Sequence, residues 1–236
     1  MQNTTFLYRQ LLADGTHWFE TRVVIGDGEP ENGYDESVLF SVETNSQIME
    51  ETLEIGKCIS QEVEVKMLNP PVKIPRMGRI APYVRVRTAS AYSEWIPQGV
   101  FFIDTREITQ NDDGMDVLTL HGYDAMLKAN QNYSDSDLDW PATDIDIVEE
   151  IASQMGVGVD SRMEEIMNEA YQISEPGTST LIEMLSHIAV MYLGNFIITE
   201  AGDLRLVTLM EMPIDTRYLI DHVGNSITFG GDRILV

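Results

Sequence analysis

The densest set of side chains able to do chemistry is DSDLDWPATDID, Asp135 to Asp146. Asp135, Asp137 and Asp139 occupy the first, third and fifth places of a calcium-binding loop, and Asp146 falls at the twelfth; in such a loop these places turn carboxylates toward one ion. Two departures weigh against an ion here. The sixth place needs glycine for its sharp turn and holds Trp140, followed by Pro141. The loop also ends on Asp where a bidentate Glu is usual. The plainer reading is a solvated acidic linker that leads into a helix cap.

Other candidates for chemistry are scattered. His17, His121, His187 and His222 lie in unrelated segments, and none makes the spacing that brings several ligands to one metal. His187 falls within an apolar stretch and reads as a packing histidine; His121 closes a strand and reads as a packing or interface residue. Cys58 has no histidine in a recognisable local signature and reads as a small buried residue. No G-x-S-x-G elbow, P-loop or G-x-G-x-x-G fingerprint is present. Paired carboxylates of the glycosidase kind carry no signal in a chain this rich in Asp and Glu. The sequence therefore predicts no catalytic residue, no cofactor and no metal.

Composition narrows the partners. The 236 residues include 39 acidic and 15 basic ones, a net charge of −24. Such a surface repels phosphate backbones and anionic lipid headgroups, because gripping either needs clustered Lys and Arg. The charge reads either as an ordinary solvated surface or as one that stays near DNA without holding it. A hydrophobic share of 43% fits a globular chain. No apolar run reaches the roughly 20 residues that span a bilayer, and the start lacks the pattern of a secretory signal, so no membrane insertion is expected. A single cysteine fits folding in a reducing compartment.

The elements that must position these residues change character along the chain. The first 125 residues or so are strand-rich. THWFETRVVI precedes the turn cluster GDGEPENG; Val63, Val65 and Met67 alternate with Glu62, Glu64 and Lys66; Val84 and Val86 alternate with Arg85 and Arg87. Phe101 and Ile103 open a hairpin that returns through Val117, Leu118 and Leu120, with NDDG as its turn. Short strands at such intervals predict a closed or sandwiched antiparallel sheet. From about residue 130 helices appear. Thr143 with Asp146 caps one whose buried face is Ile145, Val148, Ile151, Ala152 and Met155, stopping at Gly156. Ser161 with Glu164 starts a short one, and Thr180 with Glu183 a third, buried through Leu181, Met184, Leu185, Ile188 and Ala189 and ending at Gly194. A hairpin turning at Ala201-Gly202-Asp203 follows. The fold class is mainly β with an α+β insertion.

Several segments resemble the hub proteins of bacteriophage and prophage tail tips, the baseplate or tail-associated hub family. They are LEIGKCISQEVEVKML (Leu53 to Leu68), IPQGVFFIDTREI (Ile96 to Ile108), LTLHGYDAMLKANQ (Leu118 to Gln131), TLIEMLSHIAVMYLGNFII and EAGDLRLV. Tyr123, Asp124 and Ala125 match the family motif at which the chain leaves a first β-barrel for an inserted α/β domain. The resemblance implies a tube-like antiparallel barrel over residues 1–126, an α/β insertion over 127–212 and the start of a second barrel over 213–236. It further implies a homotrimeric ring between the tail tube and the tip, in contact with distal tail proteins and with fibre, spike or lysin proteins. DNA would pass through its channel unbound, and the protein would reside at the virion tail tip after assembly in the host cytoplasm. Two rival functions fit the residues less well: the N-terminal part of a tail-associated peptidoglycan hydrolase, and a carbohydrate- or receptor-binding module using Trp95 and Trp140. At the end of the chain, RYLIDH and SITFGGDRILV have strand composition, with Gly230-Gly231 suited to a turn.

Overall fold

The computed structural model describes residues 4–47, 54–68, 74, 77–110, 114–133, 136–167, 171–175 and 177–208, together with the backbone of 228–229 and 232–233. The chain opens on a helix, α1 (Phe6–Leu12), capped by the Thr5 hydroxyl. Strand β1 (Trp18–Ile25) follows, then a 3-10 turn at Pro30–Asn32 and β2 (Leu39–Asn45). Next come β3 (Cys58–Ile59), β4 (Glu62–Leu68), β5 (Arg79–Arg87), β6 (Ile96–Pro97), β7 (Phe101–Gln110) and β8 (Asp116–Asp124). After a 3-10 turn at Ala125–Ala129 the chain forms β9 (Ala142–Thr143), α2 (Asp144–Met155), α3 (Met163–Ile166), β10 (Gln172–Ile173), α4 (Leu181–Met191), β11 (Gly194–Ile198) and β12 (Leu204–Thr208).

The larger sheet is antiparallel and runs β1-β5-β7-β8-β4-β2, with β6 added to β5. Alternation along β4 puts Val63, Val65 and Met67 inside, where they meet Val23, Ile80, Phe101, Ile103, Leu118 and Leu120. Strands β7 and β8 pair as expected, their register setting Gln110 opposite Asp116, and Gly114 adopts φ +74°; the rest of the expected turn lies outside the described residues. The expectation of a closed sheet is met only in part. The sheet is mostly antiparallel, but among the described residues its ends, β1 and β2, do not pair with each other. Tyr34, from the loop between them, bridges to Val23 instead.

A second apolar cluster gathers the 3-10 turn at Ala125–Ala129, α2, α4, β11 and β12. The helices are capped as the sequence predicts. Thr143 accepts from the Asp146 amide, Thr180 and Glu183 form a reciprocal capping box, and Gly156 takes φ +70°. The buried face of α4 is the predicted one. In α2 Val148, Ile151, Ala152 and Met155 are buried as predicted, while Ile145 is only half-buried and Ile147 joins the buried face. The stop of α4 also differs. The left-handed residue is Leu193 (φ +52°), while Gly194 already belongs to β11, where a Cβ would stand 2.5 Å from the Val207 carbonyl oxygen. The glycine serves close strand approach and leaves the turn to its neighbour. His187 is exposed on α4, not packed as expected. The short helix starts at Met163 without a Ser161 cap.

The stretch 1–126 feeds both clusters. Strand β3 leaves the larger sheet and pairs parallel with β11, Cys58 opposite Phe196, giving the order β12-β11-β3. Beyond residue 208 the strand expectations lie outside the described residues, apart from Thr228–Phe229 paired antiparallel with Asp232–Arg233.

Candidate functional site

The two clusters meet where the chain crosses between them twice, at Ser60–Gln61 and at Asp124–Ala125. Strand alternation turns Asp124 inward at the end of β8, where it is 1% exposed. One carboxylate oxygen accepts the Ser60 hydroxyl at 3.0 Å and the Met126 amide at 2.9 Å; the other accepts the Gln61 amide at 2.8 Å. Asp124 thereby caps the 3-10 turn and clamps the incoming crossover. The Gln61 side chain extends the clamp by donating to the Ile198 carbonyl on β11 at 2.7 Å. Burial pushes the Asp124 carboxyl up to about 6, outweighing the amides and hydroxyl that stabilise its charge.

This junction is the place singled out by the Tyr123-Asp124-Ala125 motif. Strand β8 runs on through Gly122 without a turn. A Cβ there would meet the Phe102 carbonyl oxygen at 2.8 Å, so glycine permits a close strand crossing. Tyr123 faces outward and lines a shallow cleft.

That cleft, about 420 Å³, lies on the outer face of β2, β4 and β8, with Glu43, Glu62, Glu64 and His121 among its walls. Register sets Glu43 opposite Glu64, and Glu64 opposite His121. Lys66 bonds Glu64 at 2.5 Å and His121 lies 3.3 Å away on the other oxygen; both hold the Glu64 carboxyl below its usual range, Lys66 the more.

At the other end of the sheet the outer face of β1 and β5 is basic and aromatic. Glu20, opposite Arg85, takes that guanidinium at 2.9 and 2.7 Å, with Arg87 at 3.4 Å and Arg22 at 3.6 Å. The Arg85 guanidinium lies 4.5 Å from the Tyr92 ring centroid and 4.3 Å from that of Trp95; Arg87 lies over Trp18 at 5.9 Å. Sequence reading missed this lattice. The alternation of Arg85 and Arg87 gave their face, but only cross-strand register brings Glu20 to them.

The acidic segment is organised from below. Glu150, on α2, accepts the Tyr133 and Ser136 hydroxyls and the Asp137 amide, the last at 2.7 Å. Burial and this carboxylate push the Tyr133 phenol up. Asp146 turns back to the Thr143 hydroxyl as part of the helix cap. Asp135 lies outside the described residues, and among those described no three His, Cys, Asp or Glu side chains are grouped to hold an ion. Trp140 packs edge-on to Tyr133 at 6.2 Å, and Trp95 lies under Arg22 and Arg85, so neither ring is presented as an open stacking platform. Cys58 is half-buried, where the sequence reading expects a buried residue; it packs against the second cluster 3.6 Å from the Ser186 hydroxyl, and desolvation pushes its thiol up to about 11. His17 packs edge-on to Phe19; His222 lies outside the described residues. Most of the acidic groups with close partners serve caps and turns: Glu94 holds the Thr5 amide, Glu183 the Thr180 amide, and Asp160 the fork of Arg162, which holds its carboxyl down at about 2.

No protein-family model matches the sequence, and no curated protein matches it. The fold is similar to that of the 43 kDa tail protein of prophage MuSo2 from Shewanella oneidensis, at TM-score 0.51 and 13% identity over 80% of this chain and 52% of that one. The chain has the fold of a prophage tail protein. A tail protein from Neisseria meningitidis MC58 aligns at TM-score 0.48 and 12% identity, over 89% of this chain and 53% of that one. A Francisella PdpA–VgrG complex in its half-lidded form aligns at 0.47 and 6%, over 81% and 31%. The chain thus spans about half the length of the tail proteins it matches. Among the described residues no helix is long and apolar enough to cross a membrane.

Proposed function

We propose that this chain is a structural component of the tail tip of a phage or phage-like particle. In this reading it is a hub ring that joins the tail tube to the receptor-binding or wall-degrading apparatus and leaves a channel for DNA. The observation that carries it is the fold shared with the MuSo2 tail protein over 80% of the chain. In this reading the larger sheet belongs to a first barrel over residues 1–126 and the second cluster to an α/β insertion over 127–212, and residues 213–236 would begin a second barrel. The Asp124 junction supports this organisation, because a hydrogen-bonded clamp at a double crossover holds two units at a fixed angle.

The role is mechanical, not catalytic. Among the described residues, many groups that elsewhere act as acids, bases or nucleophiles are engaged in helix caps, turns and ion pairs, and the Cys58 thiol is held far from its reactive form. The net charge of −24 fits a channel through which phosphate slides without binding. The working unit is a homotrimer in contact with tail-tube proteins on one side and fibre, spike or lysin proteins on the other. Native mass spectrometry of gently dissociated particles tests the stoichiometry. Three copies released as one unit agree with the reading, and release as a single copy contradicts it.

A further inference from the structure

A chain of net charge −24 opposes its own assembly, since most contacts between copies set acid against acid. A stable contact between copies must therefore include a face with surplus cation. The outer face of β1 and β5 is such a place, with Arg22, Arg85 and Arg87 around the single carboxylate of Glu20. We propose that this Arg85–Arg87 surface docks on the Glu43–Glu62–Glu64 cleft of a second copy of the chain. The inference rests on the ring reading above and names the contact that would form the ring.

Three observations carry it. First, the surface has the composition of an interface centre, where Arg, Trp and Tyr dominate binding. Arg87 is 48% exposed, Trp18 46% and Tyr92 60%. Second, it is preorganised. Arg85 is fixed by two bonds to Glu20 and by two aromatic rings, so little side-chain freedom remains to be lost on docking. Third, the cleft is its electrostatic complement. Glu43 stands opposite Glu64, whose carboxylate Lys66 already pairs, and Glu62 stands opposite Asn45, so Glu43 and Glu62 are the carboxylates a guanidinium from outside would meet. The two patches lie at opposite ends of one sheet, so each copy offers both halves of the contact. A contact between unlike patches repeats head to tail and closes into a ring when the rotation allows.

Charge reversal on the full-length chain tests this, read by sedimentation velocity over a concentration series. The wild-type chain is expected to self-associate. Arg87→Glu and Glu43→Lys are each expected to weaken association by about 100-fold or more, since each sets like charges against one another. The double variant carrying both reversals restores the complement in every copy and should regain association. Glu43→Lys faces Glu64 within its own sheet, so its folding is favoured; melting curves check both variants. A wild-type chain that stays monomeric, single variants that assemble like wild type, or a double variant that fails to recover would each overturn the contact. Trimers that persist through the single reversals would refute the contact and leave the ring reading standing. Pairs in place of rings, restored in the double variant, would uphold the contact and count against the ring.

Discussion

Replacing Asp124 by Asn separates two effects that meet in one side chain. The carboxylate accepts three hydrogen bonds at the junction, two on one oxygen and one on the other. The amide has one acceptor oxygen, so one buried donor of Ser60, Gln61 or Met126 loses its partner, at a cost of about 1–3 kcal/mol. Charge works the other way. Burial raises the carboxyl from 3.8 to about 6, so ionising it in the folded chain costs roughly 3 kcal/mol relative to the unfolded chain, at 1.36 kcal/mol per unit. Because the folded value lies above the unfolded one, the folded chain holds the extra proton between the two values. This stability is complete below the unfolded value and is lost as pH rises through the folded one. The amide of the Asp124→Asn variant does not titrate. Near neutral pH the variant should therefore lie within about 2 kcal/mol of wild type, the two effects nearly cancelling. Between about pH 7.5 and about pH 5, wild type should gain roughly 1.4 kcal/mol relative to the variant. Urea unfolding of both chains at both pH values measures this, and relief of the general negative charge cancels in the difference. A difference that stays flat, or one in which wild type loses ground on acidification, would refute the assignment of a buried, desolvated carboxylate to Asp124.

Further predictions concern single elements. Cys58, with its thiol pushed up to about 11, should be roughly one part in a thousand thiolate at pH 8, so a disulfide reagent should label it slowly in the folded chain and fast in urea; prompt stoichiometric labelling of the folded chain would contradict the raised thiol of this half-buried residue. Thr180→Ala removes the hydroxyl half of the capping box on α4, leaving the Glu183 carboxylate on the residue 180 amide, and should cost about 1 kcal/mol in urea unfolding. An unchanged midpoint would mean that the cap is not needed. Gly194→Ala forces a methyl to within 2.5 Å of the Val207 carbonyl oxygen, on backbone that cannot step aside, and should cost about 1–3 kcal/mol. Tolerance of Ala there would refute the close approach of β11 and β12.

Features set by local chemistry were legible in the sequence. The caps at Thr143 and Thr180 are recognised by residues three apart, the buried stripe of α4 by its period, and the Gly202 hairpin by its turn. Helix α1 was not legible, because its one buried residue, Leu11, leaves no apolar stripe to read. Pairing between distant segments was equally hidden. Nothing near Cys58 says that it will join β11 in parallel, and nothing near Glu20 says that it will neutralise Arg85. The Asp124 site falls between these cases. The motif marked the place, whereas the partners Ser60 and Gln61, more than 60 residues away in sequence, and the burial that raises the carboxyl were not legible.

The central claim is a place in a particle, and cryo-electron microscopy of an assembled tail tests it most directly. The account predicts density for this chain on the tail axis at the distal end of the tube, in three copies around an open channel. Density for a single copy off the axis, or a position elsewhere in the virion, would contradict it.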